Sequence, residues 1–132
     1  MQLNICNKLI FFVIDKKYNV DFIKSFVSFT AKFNKDDGFY LINDDHNLYS
    51  PSYANALICK YPYKKHNLNH LLRDVTTAIK KTEDDSNRYL IVITDGVIEE
   101  RFFRNMKELN VSVLVKSLID EEVVNFCFEG IL

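Results

Sequence analysis

The sequence predicts a doubly wound α/β domain, a mostly parallel open sheet with helices on both faces. Two apolar runs, Leu9-Ile10-Phe11-Phe12-Val13-Ile14 and Tyr89-Leu90-Ile91-Val92-Ile93, hold no charged residue, and an aspartate closes each strand, Asp15 directly and Asp95 after Thr94. Runs that apolar mark strands buried on both faces, as central strands of a parallel sheet are. The segments between strand-like runs repeat their apolar residues at helical spacing, so strands and helices alternate. The 132 residues fit one domain, 1–132, that can bury most of a core.

The first strand covers 8–14. Val20, Phe22, Ile23, Phe26, Val27, Phe29, Thr30 and Phe33 then recur at helical spacing up to Asn34, with Asp21 in the first turn, where a carboxylate favours the helix dipole. Asp36-Asp37-Gly38 makes a turn, and 39–42 is a short strand. Residues 44–66 are ambiguous. Both 47–51 and 56–61 read as short strands, Pro51 and Pro62 confine them to edges or loops, and an edge strand is expected near 56–61. A second helix spans 67–81, with Leu68, Leu71, Leu72, Val75, Ala78 and Ile79 on one face. Residues 82–87 form a solvated loop and 88–94 the second buried strand. A helix over 99–109, a strand over 111–115 and a helix over 121–128 complete the chain.

Composition excludes several functions. With glycine only at positions 38, 96 and 130, neither a Walker loop nor a dinucleotide-binding fingerprint can be built. A net charge of −1 and a pI near 6.3 argue against a polyanion binder, so nucleic acid is an unfavoured partner. The longest apolar run, six residues, falls far short of the ~20 that span a bilayer. The amino terminus lacks the basic start and small-residue cleavage site of a signal peptide, so a cytoplasmic protein is expected. Cys6, Cys59 and Cys127 are odd in number and far apart, and are read as reduced, mostly buried thiols. Abundant asparagine and lysine with scarce glycine, alanine and proline suggest an AT-rich genome, such as that of a virus, phage or parasite.

Strands 8–14 and 88–94, the most apolar, should lie side by side in the middle of the sheet. Their carboxyl ends then bring Asp15 and Asp95 to the crevice where ligands of open parallel sheets collect. Converging carboxylates need a cation or a proton between them.

At these residues a resemblance enters. Phe12-Val13-Ile14-Asp15-Lys16-Lys17-Tyr18-Asn19, paired with Ile91-Val92-Ile93-Thr94-Asp95-Gly96, resembles the von Willebrand factor A domain, a Rossmann-like fold. The likeness runs from about residue 8 to 128 and includes the helix, turn and strand of 106–115 and the helix start at 120–126. In that family DxSxS after the first strand, a threonine before a later helix and an aspartate in a TDG-like turn form a metal-ion-dependent adhesion site, where Mg²⁺ or Mn²⁺ bridges to an acidic group of a partner. Carried onto this chain, the site comprises Asp15, Lys17, Asn19, His66 or Asn67, and Asp95. It departs from the family pattern. Lys17 stands at the first serine and Asn19 at the second, and neither His66 nor Asn67 supplies a hydroxyl.

A hard cation takes oxygen ligands, which Asn19 can offer and Lys17 cannot. Were a metal held, Asp15, Asn19 and Asp95 would hold it. The expectation is instead a degenerate site without a cofactor, with the Lys17 ammonium between Asp15 and Asp95. The chain is shorter than usual for the family, which normally has a further strand and helix, and an exposed parallel edge at 111–117 favours oligomerisation or hetero-assembly.

The expected function is a non-enzymatic protein–protein interaction module, a scaffold or adaptor meeting another protein through loops 16–19, 44–66 and 96–99. The alternative is a Mg²⁺- or Mn²⁺-dependent phosphohydrolase or nuclease using Asp15 and Asp95. Other features read as structural. Phe22, Phe26, Phe29 and Phe33 form a helix core stripe, and His66 and His70 lie on a solvated helix start. Tyr49, Tyr53, Tyr61 and Tyr63 with Lys60, Lys64 and Lys65 form a solvated edge, and Glu99-Glu100 a solvated helix end.

Overall fold

The computed structural model describes residues 8–42, 47–60, 67–82 and 87–128. Its elements run β1 (Lys8–Asp15), α1 (Val20–Thr30), β2 (Gly38–Leu41), β3 (Leu48–Tyr49), α2 (Pro51–Lys60), α3 (Leu68–Lys80), β4 (Asn87–Thr94), α4 (Glu100–Glu108), β5 (Val111–Lys116) and α5 (Glu121–Cys127). The sheet order is β3-β2-β1-β4-β5, parallel throughout except for the antiparallel β3. This is the doubly wound α/β fold expected, with β1 and β4 adjacent and in register from Lys8 opposite Asn87 to Asp15 opposite Thr94.

The sheet buries both faces, and strand alternation divides the core. Ile10, Phe12 and Ile14 of β1 pack with Phe26, Phe29 and Phe33, with Ala54 and Ile58 of α2, and with Val123 and Cys127 of α5. Phe11 and Val13 face the other way, onto Leu71, Val75 and Ile79 of α3 and Met106 of α4. Phe12 is the hub of the first layer. Its ring meets those of Phe26, Phe29 and Phe39 at centroid distances of 5.3, 5.5 and 6.1 Å, edge-on in each case. The phenylalanine stripe of α1 is core, as expected, with Phe22 half-buried at its margin.

Two expectations are corrected. Where the sequence predicts an edge strand near 56–61, residues 56–60 are helix and Tyr61 lies outside the described residues: α2 runs to Lys60, and β3 supplies the edge instead. Ser50 and Pro51 are the cause, because the Ser50 hydroxyl accepts the Tyr53 N–H at 3.3 Å and proline occupies the first helical position, where its missing N–H costs nothing. Pro51, Ala54 and Ile58 then fall on one buried face. Of the cysteines expected to be mostly buried, Cys127 is buried but Cys59 is exposed, and Cys6 lies outside the described residues. No described helix is long and apolar enough to cross a membrane.

Arg88, in the amino-terminal part of β4, is 2% exposed. Its guanidinium donates to Ile79 O at 3.2 Å, to Thr82 Oγ1 at 3.0 Å and to Leu109 O, which places one cation against the carboxyl ends of α3 and α4 together. Helix ends carry unpaired carbonyls and partial negative charge, which a fork of N–H donors satisfies.

Candidate functional site

The carboxyl ends of β1, β4 and β5 meet at one end of the sheet. Asp15 closes β1 and is half-buried, and Thr94 closes β4 directly opposite. The Thr94 hydroxyl donates to Asp15 Oδ2 at 3.0 Å and accepts the Gly96 N–H at 2.9 Å, so one side chain ties the first aspartate to the turn that carries the second. An added Cβ at Gly96 would lie 3.2 Å from both Leu68 Cδ2 and Thr94 Oγ1, so these side chains would have to give by a few tenths of an ångström. Leu68, at the start of α3, thus lies beside the Asp95 turn.

The cation of the site is Lys16. Its ammonium lies 3.1 Å from Asp95 Oδ2 and donates to Ser117 O at 2.9 Å, linking the loops after β1, β4 and β5. Lys17, expected between Asp15 and Asp95, is exposed, and Lys16 reaches Asp95 and Ser117 while Asp15 is held by Thr94 instead. Alternation along β1 explains the difference: Lys16 continues the face of Phe12 and Ile14, which α5 and the β5–α5 loop cover, whereas Lys17 falls on the opposite parity. With its side chain 33% exposed and that of Asp95 69% exposed, the pair orients the loops and adds at most about 1 kcal/mol of stability.

The remaining predicted ligands serve the backbone. Asn19 is the N-cap of α1, its Oδ1 accepting the Phe22 N–H at 3.0 Å, and Asn67 is the N-cap of α3, its Oδ1 accepting from Asn69 and His70 at 2.9 and 3.3 Å. His66 lies outside the described residues, and His70 is exposed on α3. The donor set therefore does not fit a divalent cation. Both asparagine oxygens cap helices, Asp95 faces an ammonium, and the site's one buried hydroxyl, Thr94, already donates to Asp15. Among the described residues, no group of three or more His, Cys, Asp or Glu side chains could hold a metal ion.

Thr94 and Lys16 are the two residues that sequence reasoning missed. Thr94 had a signal, since it precedes Asp95 in the quoted turn and stands opposite Asp15 once the strands are paired. Beside the site a cavity of about 320 Å³ opens between the start of α1 and the β5–α5 loop, lined by Lys16, Lys17, Asn19, Phe22, Ser25 and Ser117 among others. Two apolar side chains stand out near these loops, Val97 at 93% and Val20 at 64% exposure.

Compared with protein-family models and with curated proteins, the chain finds no match.

Proposed function

We propose that this protein is a non-enzymatic protein–protein interaction module of von Willebrand factor A type, in which a lysine takes the place of the adhesion-site metal. The observation that carries the reading is the Lys16 ammonium seated between Asp95 and the Ser117 carbonyl. The sheet order, the aspartates at the carboxyl ends of adjacent β1 and β4, and the start of α3 beside the Asp95 turn support the family likeness.

In a metal-dependent site the ion reaches out to a partner's carboxylate. Here Lys17, exposed beside the cavity, offers a direct ion pair to such a group, and Val20 and Val97 offer apolar contact around it. The partner this surface fits is a protein presenting a carboxylate flanked by apolar side chains. A phosphohydrolase or nuclease gains no support from the geometry, because each candidate carboxylate is engaged by another side chain of the same chain.

Calorimetric titration tests the metal half of the reading. Mg²⁺ and Mn²⁺ should give no saturable heat with the wild type, and tight binding that vanishes in Asp95→Ala would overturn it. Affinity purification from the native host tests the surface. A protein captured by the wild type and by Lys80→Glu, but lost in Lys17→Glu combined with Val97→Asp, supports the assignment, and equal capture by all three refutes it.

A further inference from the structure

We propose that a second copy of this chain pairs with the outer edge of β5, antiparallel, about a twofold axis passing through Val113. The inference is carried by the edge strand and is independent of the loop surface described above.

The two edges of the sheet are built differently. At one, β3 is two residues long, and a very short strand is a poor template for further pairing. At the other, β5 presents six residues without a proline. Its one charged side chain, Lys116, is drawn onto α5 by ion pairs to Glu122 at 2.6 Å and Asp120 at 3.6 Å. Edges that stay free carry charge or bulges to prevent pairing, and β5 has its charge turned aside. Among the described residues no strand pairs with its outer side.

Self-complementarity identifies the occupant. A twofold axis perpendicular to the sheet keeps each face on its own side, and directly opposed residues of antiparallel strands share a face, so the axis must pass through a residue. Centred on Val113, the pairing sets Val113 against itself and Val111 against the second copy's Val115 on the face of α3 and α4. Ser112 opposes Leu114 on the other face, and Lys116 opposes Asn110, so no like charges meet.

Beside the amino-terminal end of β5 lies a groove of about 350 Å³ lined by Phe103, Lys107, Asn110, Val111, Ser112 and Val113, with Phe103 37% exposed. Just beyond the carboxyl-terminal end, Leu118 is 51% exposed. Antiparallel pairing carries each copy's Leu118 to the amino-terminal end of the other's β5 on the α1 and α5 face, where Leu118 lies beside Phe22 and Ser25, whereas the groove lies on the face of α4.

Sedimentation of the full chain tests the proposal. The wild type should form a dimer at concentrations up to about 100 µM. Ser112→Lys, at an exposed position, and Val113→Lys, which sets two lysines across the axis, should each weaken it about tenfold or more, with far-UV circular dichroism unchanged. If Val113→Lys disturbs folding, Ser112→Lys decides. In a Cys6→Ser, Cys59→Ser background, Val113→Cys should oxidise to a disulfide-linked dimer and Lys80→Cys should not. A wild type that stays monomeric overturns the proposal, as does a dimer indifferent to both lysine substitutions.

Discussion

Replacing Arg88 with methionine should remove a substantial share of the stability of this protein. Methionine keeps the apolar stem of arginine out to about the Nε position, so the change deletes the fork of donors while preserving the packing of the stem. The guanidinium contacts Ile79 O, Thr82 Oγ1 and Leu109 O from a position 2% exposed. Ile79 O retains the Thr82 hydroxyl at 2.6 Å and the Thr82 N–H at 3.0 Å, so the loss falls mainly on Leu109 O, at the end of α4. A hydrogen bond to a charged donor contributes ~1.5–3 kcal/mol, and a partly buried cation at a helix carboxyl end up to ~2 kcal/mol. Together these give about 3 kcal/mol for Arg88→Met, against a total of ~5–15 kcal/mol for a domain. Arg88→Lys keeps the charge but not the fork, and should lose about half as much. Urea unfolding followed by far-UV circular dichroism measures both, with an unchanged denaturant slope as the check on two-state behaviour. A loss below about 0.5 kcal/mol for Arg88→Met, the size of a neutral surface change, would refute the double-cap reasoning.

Burial pushes the Cys127 thiol up to about 12, with Lys8 opposing and Asp37 reinforcing the shift. Its folded value lies above its unfolded one, so the stability it contributes is complete below about pH 9 and is lost as pH rises toward 12. Cys127→Ala should flatten the fall of the urea midpoint between about pH 9 and 10.5, and an alkaline limb identical to that of wild type would exclude this cause. In the folded protein at neutral pH, iodoacetamide should label exposed Cys59 and leave Cys127 unmodified, as peptide mapping would read out. Phe12→Ala opens a cavity among three aromatic rings and should cost ~3–5 kcal/mol by urea unfolding, whereas Phe22→Ala, at the margin of that cluster, should cost clearly less. Asn19→Ala and Asn67→Ala should each lose about 1 kcal/mol while Asn19→Asp loses little, since aspartate caps as well as asparagine. Equal loss from Asp and Ala would mean that Asn19 does not act as a cap.

The fold was legible because the strongest physical signal in the chain is also the one that sets its architecture. Strands such as Leu9 to Ile14 and Tyr89 to Ile93 can be stabilised only with both faces covered, and helices between them follow from 3.6-residue spacing. The misread segment, α2, shows the limit of a single-residue rule. Pro51 excludes a central strand, but proline after serine is also a helix start, and the spacing of Pro51, Ala54 and Ile58 carried that alternative. Arg88 was hidden for a different reason. A cation at the start of an apolar run looks like the solvent-facing beginning of a strand, and its role depends on where two separate helices end in space.

The site illustrates how far spacing reaches and where geometry takes over. Aligning Asp15, Lys17 and Asn19 to a motif assumes that residues two apart converge on the same ion, which holds only while the chain keeps its alternation and its side chains are free to turn inward. Here the start of α1 intervenes. Its first turn presents unpaired N–H groups, Asn19 lies at the N-cap, and its carbonyl oxygen is drawn to the Phe22 N–H. The same demand draws in Asn67 at α3. With the amide oxygens committed to the helices, the group that meets Asp95 is the Lys16 ammonium, which reaches Asp95 and Ser117 together. Substituting Lys16 alone would therefore leave Asp95 without its cation, while Asn19 and Asn67 stay engaged by the amino ends of α1 and α3.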